Sequence, residues 1–198
     1  MTKVSSRPNP FLSIWTKPRW TFDHFFQARN GDSLYGWPFL IYGIYTAIAI
    51  GKDVALLFDR DPSPVTRLGA TIFITLFNTG VFLLVLGKIY PWIIQKIGKL
   101  WEGKASINQL GTVHAMAIIP YTLELVYQLI LIALDLEGSE NPYHALLSYI
   151  IWILNIRIII IGISKAQKFS YGLALLNAVL AYLPVFLLQI WLSSIKNL

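Results

Sequence analysis

Residues 143–164 read "YHALLSYIIWILNIRIIIIGIS", and this stretch decides the fold class. It is apolar almost throughout, with Arg157 as its one fixed charge. A strand ends after about 4–8 residues, so a run of this length is a helix. About 20 apolar helical residues cross the ~30 Å of bilayer hydrocarbon, and this segment meets that length. Working outward, four more apolar runs follow the same logic, at roughly 34–50, 68–90, 112–134 and 172–192. The first is interrupted by Lys52 and Asp53. The expected fold is therefore an all-α integral membrane protein with five transmembrane helices, residues 33–198, preceded by an aromatic-basic segment, residues 1–32.

The composition agrees. The apolar share is 56% and the charged share 13%, against about 45–50% and 25% in soluble domains. No stretch has the compact apolar region ending in small residues that marks a cleavable signal peptide. The absence of cysteine excludes disulfides, thiolate chemistry and iron–sulfur ligation. A net charge of +6 raises the question of nucleic acid, which the positions of the charges answer.

Eleven Lys and Arg fall in the N-terminal tail and the second and fourth loops, and four fall on the other side. The positive-inside rule then puts the N-terminus and the 88–111 loop in the cytoplasm and the C-terminus outside, as for a multi-pass protein of a bacterial inner membrane. The segment "NPFLSIWTKPRWTFDHFF" (9–26) interleaves rings with Lys17, Pro18 and Arg19. The segment "KIYPWIIQKIGKLWEGK" (88–104) sets Ile89, Trp92, Ile93, Ile97, Leu100 and Trp101 at helical spacing, with Gln95, Lys96 and Lys99 opposite. Pro91 marks the bend where the second span leaves the membrane. Both segments read as cytoplasmic amphipathic helices facing anionic headgroups, each Lys or Arg worth ~1 kcal/mol near the surface. Trp15, Pro18, Arg19, Trp20, Phe22, Trp92, Lys96, Lys99 and Trp101 form this interfacial or partner-binding face. Anionic lipid accounts for the charge, so no nucleic acid is expected. Another membrane protein or a further copy of the chain is the expected partner.

Inside the spans, Glu124 and Arg157 lie on antiparallel neighbours. A lone intramembrane charge costs several kcal/mol and favours pairing, so the two are expected to form a polar pair that fixes helix register or lines a proton or substrate path. Arg157 reaching lipid phosphate is the remaining option. Asn78, Gln128, Asn155, Asn177 and Gln189 read as interhelical glue. Pro120 and Pro184 occupy equivalent places in "SINQLGTVHAMAIIPYTLELV" (106–126) and "SYGLALLNAVLAYLPVFLLQI" (170–190) and predict helix kinks. His24, His114 and His144 have no metal-ligand spacing. Phosphate loop, nucleophile elbow and paired carboxylates are all missing, so neither catalysis nor a cofactor is expected.

Several stretches carry a resemblance. "NPFLSIWTKPRWTF" (9–22), "DSLYGWPF" (32–39), "WEGKASINQLGTVHAMAIIP" (101–120), "WILNIRIIIIGISKAQKFS" (152–170) and "AVLAYLPVFLL" (178–188) are similar to bacterial members of the Yip domain family. Eukaryotic relatives in that family are integral membrane proteins that interact with Rab/Ypt GTPases. The resemblance implies five spans, a cytoplasmic N-terminus and a non-enzymatic scaffold or adaptor role. The alternative is a small transporter or permease centred on Glu124 and Arg157.

Overall fold

The computed structural model describes residues 9–28, 36–58, 63–134 and 142–195, and among these all regular structure is helical. Two short helices, α1 (Pro10–Thr16) and α2 (Pro18–Ala28), open the chain. Asn9 caps α1 by accepting from the Phe11 amide at 3.0 Å. Pro18 starts α2 without needing a donor, because a helix's first turn leaves its amides free in any case. Seven more α-helices follow among the described residues: α3 (Trp37–Phe58), α4 (Pro64–Leu84), α5 (Tyr90–Gly98), α6 (Ile107–Ala117), α7 (Tyr121–Ala133), α8 (Pro142–Gln167) and α9 (Tyr171–Ile195).

Among the described residues three helical stretches are long and apolar enough to cross a membrane: Pro64–Trp101, Ile107–Ala133 and Tyr143–Gln167. Trp37–Ile50 and Tyr171–Pro184 are shorter apolar helices. The first of the long stretches departs from expectation. The apolar run from residue 68 and the amphipathic segment from residue 88 are one continuous helix, joined by a π-turn at Val85–Ile89. Pro91 explains it. Its ring would meet the carbonyl four residues back, and widening the preceding turn relieves that contact. The Tyr90 amide accordingly donates to Val85, five residues back.

The α6 helix forms the centre. Leu110 to Pro120 is buried without a gap, enclosed by α3, α5, the π-turn and α8. Its start is fixed by a capping box in which Ser106 and Gln109 satisfy each other's backbone amides. Its end is fixed by Pro120, which stands in the turn between α6 and α7. There the Tyr121 amide reaches only Ile118, which leaves the Ala117 carbonyl free. Asn155 of α8 donates to that carbonyl at 2.9 Å, so an amide side chain replaces the missing backbone donor. Pro184, by contrast, lies within α9.

Helices α3 and α4 form a closely packed pair. A side chain at Gly43 would collide with Thr79, so the two backbones approach there as only small residues allow. Asn78 adds a 2.9 Å hydrogen bond to Thr46 across the pair. Phe39, Ala115 and Ile118, with Tyr42, Phe82, Leu86 and Tyr121 around them, join this pair to the rest.

Residues 10–28 do not stand apart as a separate segment. Ile14 and Phe22 are wholly buried in the main core with Val113, Ile158 and Ile163. A Cβ placed on Gly162 would come within 2.8 Å of the Phe22 ring, so α2 rests directly on the α8 backbone. Lys165 clamps the contact, with its ammonium 2.8 Å from Asp23.

Candidate functional site

The segments richest in Lys and Arg meet at one end of the bundle. Gln167, at the end of α8 and 1% exposed, ties the 88–105 segment to that helix. It accepts from the Ala105 amide at 3.2 Å and donates to the Ile94 carbonyl at 3.3 Å. It lies so close to Gly98 and Gly103 that a side chain at either would strike it. The sequence reading missed this residue. Its only trace was an uncharged polar side chain at the edge of an apolar run.

Of the face expected at this end, the structure keeps part outward and turns part inward. Trp20 and Trp92 are 42% and 50% exposed. Arg19, Lys96 and Lys99 are exposed and Trp101 is half-buried. Lys96 lies 5.8 Å over the Trp92 ring. Phe22 is wholly buried, which corrects its assignment to a partner-binding surface, whereas Pro18, largely covered, still lines the groove beside Arg19. Phe22 belongs to the core because α2 turns that edge toward α8, where Gly162 leaves room for a ring. Trp15 is half-buried against the core, its indole N–H donating to the Phe11 carbonyl at 2.7 Å. On α5 the buried line is Tyr90, Pro91, Ile94 and Gly98, leaving Ile89, Trp92 and Leu100 outward beside Lys96 and Lys99.

The expected pairing of Glu124 with Arg157 does not form. On α8 the inward line runs through Ile151, Asn155, Ile158 and Gly162, and Arg157 lies off that line and is exposed. It lines a groove of about 560 Å3 with Thr16, Lys17, Pro18, Arg19, Trp20, Ile161 and Tyr171. Arg19 stacks 4.8 Å over the Tyr171 ring. The groove thus gathers three cations and no carboxylate among its lining residues.

Glu124 faces elsewhere. It is 1% exposed because α7 packs mainly on α3 and only sparsely on α8. Tyr42, Tyr45 and Tyr121 are close enough to interact with it electrostatically, with the Tyr45 hydroxyl within reach as a donor, although among the described residues no group meets either carboxylate oxygen with full hydrogen-bond geometry. The three rings are mutually packed, with centroids 4.9–5.8 Å apart. Between α7 and α8 a cleft of about 510 Å3 opens, lined by Tyr45, Tyr121, Glu124, Ala145, Ser148, Tyr149 and Trp152.

His114 is a satisfied core residue. One ring nitrogen is 2.8 Å from the Leu110 carbonyl and the other 2.6 Å from the Tyr182 hydroxyl. Among the described residues no group of three His, Cys, Asp or Glu side chains is placed to hold a metal ion. Comparison of the chain with protein-family models, curated proteins and solved structures gives no match.

Proposed function

We propose that the chain is a non-enzymatic membrane scaffold or adaptor of the Yip type. In this reading five helical passes hold it in the bilayer: α3, α4, α6 with α7, α8 and α9. The basic end lies on the cytoplasmic side of an inner membrane, and its surface engages anionic headgroups and a partner membrane protein. One observation carries the reading. The α1–α2 layer is fastened to the bundle by Ile14, Phe22 and the Asp23–Lys165 ion pair, while Lys17, Arg19, Trp20 and Arg157 remain facing an open groove. A segment that only anchored the chain would have no reason to be folded into its core. Exposed Trp and Arg beside one another are the residue types that most often carry interface energy, and Trp also suits the headgroup layer. The transporter alternative has less support, because its two central residues open onto different clefts.

The test is affinity purification in mild detergent, with co-purifying proteins identified by mass spectrometry. Trp20→Ala, Trp92→Ala and Arg19→Glu change exposed side chains, so their melting temperatures should match that of the parent. Recovery of the partner should fall. Undiminished recovery by the triple variant at normal expression would remove the reason for preferring a scaffold.

A further inference from the structure

We propose that the cleft between α7 and α8 binds an organic ammonium group, with Glu124 as its counter-ion. The inference is independent of the basic end of the molecule. It starts from a carboxylate that is almost fully buried, with the Tyr45 phenol within reach but, among the described residues, no cation and no hydrogen bond of full geometry on either oxygen. Burying such a group without a partner is costly unless a charge or donors meet it. The cation expected from the sequence, Arg157, lies in another groove. Among the described residues no Lys or Arg lines the Glu124 cleft, so a ligand cation can supply the complementary charge.

The walls define which cation. Tyr45, Tyr121, Tyr149 and Trp152 line the cleft, and Tyr149 and Trp152 at its rim are 68% and 56% exposed. Aromatic faces attract cations electrostatically, with Trp the strongest, and cages of such rings recognise alkylated ammonium. A divalent metal fits poorly. Calcium takes 6–8 oxygen ligands and magnesium a near-ideal octahedron, whereas this cleft offers one carboxylate, the Ser148 hydroxyl and phenols. A soft, weakly hydrated alkylammonium needs only one charge and several ring faces. Glu124 supplies the charge, and the rings supply the remaining contact.

The ammonium can belong to a free amine or to a lipid headgroup, and two arms separate these sources. In the first, purified protein in uncharged detergent is titrated with tetramethylammonium or choline chloride against sodium chloride at equal ionic strength, and melting temperature is read. In the second, native mass spectrometry compares retention of phosphatidylcholine and phosphatidylethanolamine with that of phosphatidylglycerol. A free amine gives a saturable rise in the first arm. A headgroup gives preferential lipid retention in the second alone. Either response should weaken at least tenfold in Glu124→Gln and in Trp152→Ala, and persist in Arg157→Gln. Should Glu124→Gln fail to fold, Trp152→Ala and Tyr149→Ala at the exposed rim decide the matter. The proposal is overturned if neither arm responds beyond its control, or if the response survives removal of the carboxylate and of the rim rings.

Discussion

Phe22→Ala should release the α1–α2 layer far more than Asp23→Asn does, although the ion pair is the more visible contact. Phe22 is wholly buried against Gly162 and Val113. Truncating a buried Phe to Ala costs roughly 3–5 kcal/mol, part of it the cavity left behind. The Asp23 and Lys165 side chains keep 46% and 33% of their exposure, and a solvated pair of this kind contributes at most about 1 kcal/mol. At about 1.4 kcal/mol per tenfold, the lower Phe22 figure raises the undocked population about a hundredfold. Loss of the ion pair raises it about fivefold. The Arg19–Trp20 bond at the start of α2 reports this opening, because cleavage tracks the open population when reclosing is fast. Trypsin digestion at low enzyme ratio, followed by mass spectrometry, should rank the rates parent, Asp23→Asn, Phe22→Ala. If Asp23→Asn were cut as fast as Phe22→Ala, electrostatics rather than packing would hold the layer, and the reasoning would fail.

Two further predictions follow from the same placements. Because Glu124 and Arg157 open onto different clefts, a double-mutant cycle with Gln at both positions should be additive within about 0.5 kcal/mol in melting experiments; a coupling of several kcal/mol would mean that they pair after all. Cysteines introduced at Ser106 and Ser170 should resist an impermeant thiol reagent in intact cells while one at Ser139 is labelled, and labelling at 106 would overturn the five-pass topology.

The helices were legible because length and hydropathy are properties of a local window. The residues facing a neighbour were legible only where polar and apolar positions alternate at helical spacing. On α8 they do not. Its surface is apolar on nearly every side, so nothing in the pattern said that Asn155 and Ile158 turn inward while Arg157 turns away. Antiparallel adjacency of the third and fourth spans was therefore enough to suggest the Glu124 pairing but too little to fix a rotation. The N-terminal rings posed the same ambiguity. Phe22 and Trp20 are two residues apart on α2, and only the bare backbone at Gly162, far along the chain, decides which of them enters the core. Asn155 read only as interhelical glue and Gln167 as an ordinary polar residue, because the groups they meet are backbone atoms at Ala117, Ala105 and Ile94, which no side-chain pattern marks. Pro120 announced a break but not its partner. The Glu124 cleft depended on a sparse contact between α7 and α8, which no run of residues encodes.

The π-turn at Val85–Ile89 gives this helix a point of tolerance to changes in chain length. Each residue of an ordinary helix advances about 100° around the axis, so a one-residue deletion turns everything beyond it relative to everything before. A widened turn holds one residue more than the ordinary winding needs. Removing a residue there would tighten the turn and leave both flanks in phase: Ile74 on one side and Ile94 on the other would keep their inward directions. The same deletion a few turns earlier would swing the line of Tyr90, Ile94 and Gly98 out of the bundle and bring Gln95 and Lys99 toward it. Homologues one residue shorter in this helix should therefore carry the gap at Val85–Ile89, together with a replacement for Pro91, whose ring is what the wide turn accommodates.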